Sequence, residues 1–131
     1  MRDENIKKIA AVALCLTLTM VSSMSVFAAD SGNWSFAATP AYTEVPKTIT
    51  LDYSSNGYTA KITSKSGGST MNAVVIKGNA YSPKEVAKIS EVGVNANIDK
   101  PKYNYAKVTF TVTLQWQSGQ TAYNNGTIAR K

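Results

Sequence analysis

Residues 103–120 read YNYAKVTFTVTLQWQSGQ, and their alternation of apolar and polar side chains decides the fold class. Successive side chains of a β-strand point to opposite faces, so the apolar members of this stretch share one face. They are Val108, Phe110, Val112, Leu114 and Trp116. The other face carries mainly threonine and glutamine. The stretch therefore predicts the longest strand of the protein, with one buried and one polar face.

A second alternating stretch, TITLDYSSNGYTAKITSK, is interrupted by Asn56–Gly57. This dipeptide accepts the positive φ angles of a type I′ turn, so the stretch predicts a β-hairpin. A two-residue turn would set these pairs opposite one another: Tyr53 and Ala60, Leu51 and Ile62, Asp52 and Lys61, Thr50 and Thr63. One face of the hairpin is then apolar, and the other holds an opposite-charge pair and a threonine pair.

Shorter strand signals flank these two stretches. GNWSFAA (32–38) alternates and predicts a first strand, whereas the unbroken apolar run in MNAVVIKG (71–78) predicts a more buried strand. Ser118–Gly119 is expected to turn the long strand back on itself, which would place Tyr123 opposite Leu114.

The segment AYSPKEVAKISEVGVNANI fits two structures. Ser82 and Glu85 have the spacing of a capping box, with Pro83 at the first helical position, so a short helix near 83–91 is one expectation. From Val92 onward the alternation of apolar residues predicts a strand instead.

Together these signals predict an all-β fold, a small antiparallel β-sandwich of about six or seven strands, with a closed barrel as the open alternative. Asn125–Gly126 offers a further turn near the C-terminus. With no internal repeat and no long linker, residues 29–131 are expected to form a single domain. The expected core comprises Trp34, Leu51, Ile62, Val75, Phe110 and Trp116.

Residues 1–28 have the three-part layout of a secretory signal peptide. Basic residues precede an apolar run that starts at Ile9, and small residues lead to Ala28, after which cleavage is expected. The apolar run is shorter than the roughly 20 residues that cross a bilayer, so no membrane span is expected in the mature form. The predicted location is secreted or extracellular, or periplasmic if the source has an outer membrane.

Composition excludes several kinds of catalytic site. The chain has no histidine, and its one cysteine, Cys15, lies in the predicted signal peptide. A Ser-His-Asp or Cys-His arrangement, a His/Cys zinc site and a disulfide are therefore not expected in the mature chain. Asn95, Asn97 and Asp99 superficially resemble a calcium loop but lack its glycine and terminal glutamate, so ordinary loop residues are expected. No metal, no other cofactor and no enzymatic activity are predicted.

A hydrolase built on two carboxylates remains a minor alternative, since glycosidases need only such a pair. The candidates are Asp30, Glu44, Asp52, Glu85, Glu91 and Asp99. Their positions in the sequence give no sign that any two converge.

The chain is basic, with 14 lysine and arginine against eight acidic residues, a net charge of +6. Loss of the signal peptide would remove three basic and two acidic residues, which leaves +5. Because the lysines are scattered, we expect them to form a solvated surface; the alternative is that they attract anionic polymers weakly. Nothing resembles a nucleic-acid module, so no nucleic-acid partner is expected.

The functional hypothesis is a secreted, non-enzymatic binding or interaction module whose ligand is a cell-wall glycan or a protein surface. Its candidate binding residues are Tyr103, Tyr105, Lys107, Thr109, Gln115 and Gln117. If the strand runs back to Tyr103, both tyrosines stand on the threonine face as a small platform for a sugar or a peptide. If the strand begins only near Ala106, the platform is lost and the polar face reflects strand propensity and solubility. The alternative function is a cationic, bacteriocin-like protein that acts at the envelope of competing bacteria.

Overall fold

Eight β-strands make up the regular structure of the computed structural model, which describes residues 30–41 and 44–131. They are β1 (Ser31–Ala38), β2 (Lys47–Asp52), β3 (Tyr58–Gly67), β4 (Asn72–Gly78), β5 (Glu85–Ile89), β6 (Ala96–Ile98), β7 (Lys107–Trp116) and β8 (Ala122–Arg130). Two antiparallel sheets of four pack against each other, in the orders β1-β8-β3-β6 and β2-β7-β4-β5. The prediction of a small antiparallel β-sandwich is confirmed, with eight strands rather than six or seven. The predicted signal peptide, with its cleavage point at Ala28, lies outside the described residues.

Most connections carry the chain from one sheet to the other. Among the eight strands, β4 and β5 are the only consecutive pair that lie side by side. The hairpin predicted at Asn56–Gly57 is therefore wrong, because β2 pairs with β7 and β3 pairs with β6 and β8. Residues 54–57 form a turn in which the Gly57 N–H donates to the Ser54 carbonyl at 3.3 Å. Gly57 is its last residue and has a φ of 85°. The turn links the two sheets instead of closing a ladder.

The second predicted hairpin is wrong for the same reason. A turn does form at Ser118–Gly119, where the Gln120 N–H donates to the Gln117 carbonyl at 3.1 Å. However, it leads from β7 in the second sheet to β8 in the first. Leu114 lies opposite Val74, and Tyr123 faces solvent with 46% of its surface exposed.

Gly126 does not form the turn expected near the C-terminus, because it lies in the middle of β8. It stands opposite Trp34 of β1 and Ile62 of β3. A Cβ at this position would come within 2.0 Å of Trp34 Cζ2 and 2.6 Å of the Lys61 carbonyl oxygen. The glycine is thus required by the close approach of the indole to the backbone, a known use of glycine within strands.

The core lies between the sheets, as the alternation predicted. Of the six expected core residues, Trp34, Leu51, Ile62 and Phe110 are buried in it. Trp116 is half-buried and packs against it. Val75 is buried but lies outside the core cluster, to which its strand contributes Val74 and Ile76. The apolar run of β4 is explained by its interior place in the second sheet, between β7 and β5.

Residues 83–91 hold strand β5 rather than the short helix that their capping-box spacing allows. Ala87 and Ile89 stand opposite Ile76 and Val74. Strand β5 thus gives hydrogen-bond partners to the backbone groups along the edge of β4, and it covers part of the core. A helix would leave that edge without partners, and tertiary pairing overrides the weak local signal. After β5, Val92 forms only an isolated bridge to Ile62, and the predicted strand shortens to β6.

Candidate functional site

The most distinctive surface lies at the end of the sandwich where β7 begins, which we call the tyrosine end. Three loops meet there, at residues 53–57, 79–84 and 99–106, because β2, β4 and β6 finish at this end. The 99–106 loop carries the two tyrosines that the sequence singled out.

Tyr103 and Tyr105 do not belong to β7, which begins at Lys107. Of the two alternatives for this stretch, the structure agrees with a strand that begins near Ala106 and not with one that runs back to Tyr103. Because β2 ends at Asp52, residues 103–105 have no neighbouring strand there. The Ala106 carbonyl accepts the Tyr53 N–H at 3.0 Å, and the chain upstream leaves the sheet.

The two tyrosine rings nevertheless lie together at the surface. Their centroids are 6.0 Å apart and their planes meet at 24°, the geometry of an offset stack. Tyr103 is 42% exposed and Tyr105 45% exposed. The Lys102 ammonium lies 6.0 Å from the centroid of the Tyr103 ring, within the range of a cation–π contact. The pair presents apolar ring surface beside a positive charge.

Hydrogen bonds hold the loop of the tyrosines against the 79–84 loop. The carbonyl of buried Ala80 accepts both the Lys102 N–H, at 2.9 Å, and the Tyr103 N–H, at 3.1 Å. The Tyr81 hydroxyl donates to the Asp99 carbonyl at 2.7 Å. These bonds fix the two loops relative to each other, which lowers the ordering entropy that a ligand would otherwise have to overcome.

Beside the tyrosine pair, an open cleft of about 340 Å³ separates the 79–84 loop and β5 from the segment around Asp99. It is lined by Tyr81, Ser82, Pro83, Glu85, Val86, Asn97, Asp99, Lys100 and Lys102. The lining mixes one aromatic ring with both signs of charge and several hydrogen-bonding groups. Lys102 belongs both to this lining and to the tyrosine pair, so the two features form one continuous surface.

Sequence patterns do not reveal this cleft, because its walls come from loops that are far apart in the chain. The only local signal is the basic run Lys100-Pro101-Lys102 directly before the tyrosines.

An aromatic cluster supports the tyrosine end from inside. The Phe110 ring packs edge-on against Tyr58, with centroids 4.9 Å apart, and lies 6.1 Å from Tyr81. The Tyr58 hydroxyl donates to the Asp52 carbonyl at 2.7 Å. Burial is the main cause that raises the pKa of Tyr58 and, more strongly, of Tyr81. Both phenols therefore stay neutral and act as donors at physiological pH.

The predicted polar residues divide by distance from the tyrosines. Lys107 and Thr109 lie at the start of β7, close to the tyrosine end, and Thr109 Oγ1 lies 3.1 Å from Thr50 Oγ1 of β2. Gln115 is eight residues beyond Lys107, about 26 Å along an extended strand. Gln117 lies further still, where its Oε1 accepts the Thr70 hydroxyl at 3.3 Å. The two glutamines are thus not brought together with the tyrosines.

Two of the six carboxylates considered for a hydrolase, Glu85 and Asp99, come to the same cleft at this end. Among residues 30–41 and 44–131, no three His, Cys, Asp or Glu side chains are grouped as a metal site would require. In the segment that superficially resembles a calcium loop, Asn97 lies in strand β6, and the backbone carbonyl of Asp99 accepts a hydrogen bond from the Tyr81 hydroxyl.

No protein-family model, curated protein or solved structure matches the chain. Within the part of the chain that the structure describes, no helix is both long and apolar enough to span a membrane. The geometry of the tyrosine end is therefore the basis for any functional assignment.

Proposed function

We propose that the protein is a secreted, non-enzymatic binding module that holds a cell-wall glycan at the tyrosine end. The observation that carries this proposal is the exposed Tyr103–Tyr105 pair, with Lys102 placed over one ring at the mouth of a polar cleft. Secretion is supported by the signal-peptide pattern of residues 1–28, and the absence of enzymatic activity by the lack of histidine.

A sugar fits this surface better than an apolar ligand does. The faces of pyranose rings are weakly apolar, and an exposed tyrosine ring offers matching area at low conformational entropy, with a hydroxyl at its tip. The cleft supplies donors and acceptors from Ser82, Asn97 and the Lys102 ammonium, which suit a ligand covered with hydroxyl groups. The mixed charge of the lining also favours a neutral or weakly acidic polymer over a strongly charged one.

The test compares binding of two variants to insoluble cell-wall polysaccharide preparations in co-sedimentation. The double variant Tyr103→Ala with Tyr105→Ala is expected to weaken binding about tenfold or more, since it removes two stacking rings. The control is Tyr123→Ala, because Tyr123 is equally exposed but lies on β8, away from the tyrosine loop. Unchanged binding of the double variant to every preparation would refute the proposal, as would an equal loss in the control.

The lysine distribution favours a second candidate, a cationic protein that acts at the envelope of other bacteria. Within the described residues, ion pairs join only Glu44 with Lys47 and Asp30 with Arg130. Lys77 and Lys84 are in neither pair and line a groove of about 200 Å³ on the second sheet, where they can meet anionic polymers. Permeabilisation of bacteria by the purified protein, reduced in Lys77→Gln with Lys84→Gln, is the expected result for this candidate. Absence of any growth inhibition would eliminate it.

A further inference from the structure

The first strand presents an unusual sheet edge. β1 is the outer strand of the first sheet and pairs with β8 on one side only. The Ala37 N–H donates to Glu44 Oε2 at 2.6 Å, so the backbone groups of Ala37 point away from β8. Since backbone groups alternate in direction along a strand, those of Ser31, Asn33 and Ser35 also point outward.

The two halves of this edge differ in cover. The Glu44 carboxylate covers the far half at Ala37, and the Lys47 ammonium lies 5.7 Å from the centroid of the Phe36 ring. Over residues 30–41 and 44–131, no backbone group bonds to the outward N–H and C=O groups of the half from Ser31 to Ser35. That half is an open row of donors and acceptors.

The other three sheet edges carry the usual protection against pairing. β2 begins and ends with the charged residues Lys47 and Asp52. β5 contains Glu85 and Lys88 and is distorted by a register shift against β4, while β6 has only three residues. β1 has eight residues in regular register with no charge and no proline. Charges, bulges and short length are the devices that stop edges from pairing with another chain, and β1 lacks all of them.

We propose that the open half of β1 pairs with the same strand of a second copy of this chain, antiparallel and about a twofold axis. With Asn33 opposite its own counterpart, Ser31 lies opposite Ser35 of the second copy, and about six backbone hydrogen bonds form. The pairing joins the two first sheets into one continuous sheet.

Side chains fit this register on both faces of the joined sheet. On the outer face only serine and asparagine side chains meet. On the inner face Trp34 stands opposite Gly32 of the second copy. The buried indole packs on Gly126 of its own chain, on the β8 side, so it does not obstruct the pairing at the free edge. Charge does not oppose the contact, because β1 has none and Asp30 next to it is paired with Arg130 at 2.5 Å. A twofold pair is also the commonest symmetry of protein oligomers.

Proline substitution separates edge pairing from folding. Asn33→Pro removes an N–H that points away from β8, a position at which edge strands tolerate proline. Light scattering of the protein recovered from culture medium is expected to show the mass of one chain at low concentration and the mass of two chains at high concentration. Asn33→Pro is expected to keep the mass of one chain throughout. Asn33→Ala is the matched control, because it keeps the N–H and should dimerise like the unmodified chain. The proposal is overturned if the unmodified chain stays monomeric at every concentration, or if Asn33→Ala and Asn33→Pro change dimerisation equally.

A cysteine variant decides the matter even if Asn33→Pro fails to fold. Two copies of Asn33→Cys would face each other with Cα atoms about 5.5 Å apart, within disulfide range. Mild oxidation should convert this variant to a covalent dimer, whereas Thr48→Cys on the β2 edge should remain monomeric. Equal cross-linking of the two variants contradicts the predicted register.

Discussion

The indole N–H of Trp34 donates a 2.9 Å hydrogen bond to Asn124 Oδ1, and both side chains are buried in the sandwich. Asn124 Nδ2 then donates to Asn72 Oδ1 at 2.9 Å, which carries the link from the first sheet to the second. The Asn72 amide nitrogen in turn contacts the carbonyl oxygens of Ser66 and Tyr123, at 3.0 and 3.1 Å. Apolar packing has no direction, so this polar chain fixes how the two sheets are aligned.

Replacement of Asn124 by alanine is expected to lower the free energy of unfolding by about 3 kcal/mol. The substitution leaves the Trp34 N–H and the Asn72 oxygen buried without partners, and each unsatisfied group costs about 1–3 kcal/mol. Urea unfolding measures the change. Asn125→Ala is the control, because the Asn125 amide bonds only to Ser64 at the surface, and a loss below about 1 kcal/mol is expected there. Equal losses in the two variants would show that the buried hydrogen bonds of Asn124 contribute no more to the free energy of unfolding than a surface hydrogen bond does.

A designed disulfide tests the pairing of β2 with β7. Thr50 and Thr109 face each other with hydroxyl oxygens 3.1 Å apart, so Thr50→Cys with Thr109→Cys should cross-link on oxidation. The loop it closes is long, and stabilisation of roughly 4 kcal/mol is expected. The control, Thr50→Cys with Thr63→Cys, joins the pair that a hairpin would bring together and should remain reduced. Cross-linking of the control alone would restore the hairpin.

The failure of the hairpin prediction has a specific cause in the sequence. Lys107-Val108-Thr109 of β7 repeats the pattern Lys61-Ile62-Thr63 of β3. Asp52 therefore finds a lysine opposite, and Thr50 a threonine, whichever strand pairs with β2. Alternation shows which face of a strand is buried but not which strand lies beside it, so the core was predictable and the topology was not.

The same limit applies to the candidate site. Tyr103 and Tyr105 are exposed, but in the 99–106 loop rather than on the threonine face of the long strand. The outer position of Thr109 follows from alternation in β7. The cleft could not be foreseen, because it depends on the contact of the 99–106 loop with Ala80 and Tyr81. Such loop-to-loop contacts leave no periodic signal in a sequence.

Lysine 102 should contribute to ligand binding through its charge and its contact with Tyr103. If the tyrosine end binds a glycan, Lys102→Gln is expected to weaken binding about threefold, by removing a cation–π contact and an ammonium donor. The loss should shrink as salt is added, because salt screens exposed charges. Co-sedimentation at two ionic strengths measures both effects. Lys61→Gln is the control, since Lys61 is an exposed residue of β3 that does not line the cleft. An equal loss there would point to net charge as the cause.

Tyr81 should make the stability of the protein sensitive to alkaline pH. Burial raises the pKa of Tyr81 above its ordinary value of 10.0, and neighbouring Tyr58 and Asp99 add to the effect. A raised pKa means that the folded state favours the neutral phenol. The stabilisation is then complete below about pH 10, where the unfolded chain is also neutral, and is lost as the pH rises from there through the folded pKa.

Tyr81→Phe removes this ionisable group and is therefore expected to flatten the fall in stability between about pH 9 and pH 11. At neutral pH the variant should be less stable by about 1 kcal/mol, because the hydrogen bond to the Asp99 carbonyl is lost. Urea unfolding at the two pH values gives both numbers. Tyr123→Phe serves as the control, since it removes one hydroxyl from an exposed ring and leaves Tyr81 in place. If Tyr81→Phe and Tyr123→Phe lose stability equally between the two pH values, a group other than Tyr81, such as Tyr58, governs the alkaline limit instead.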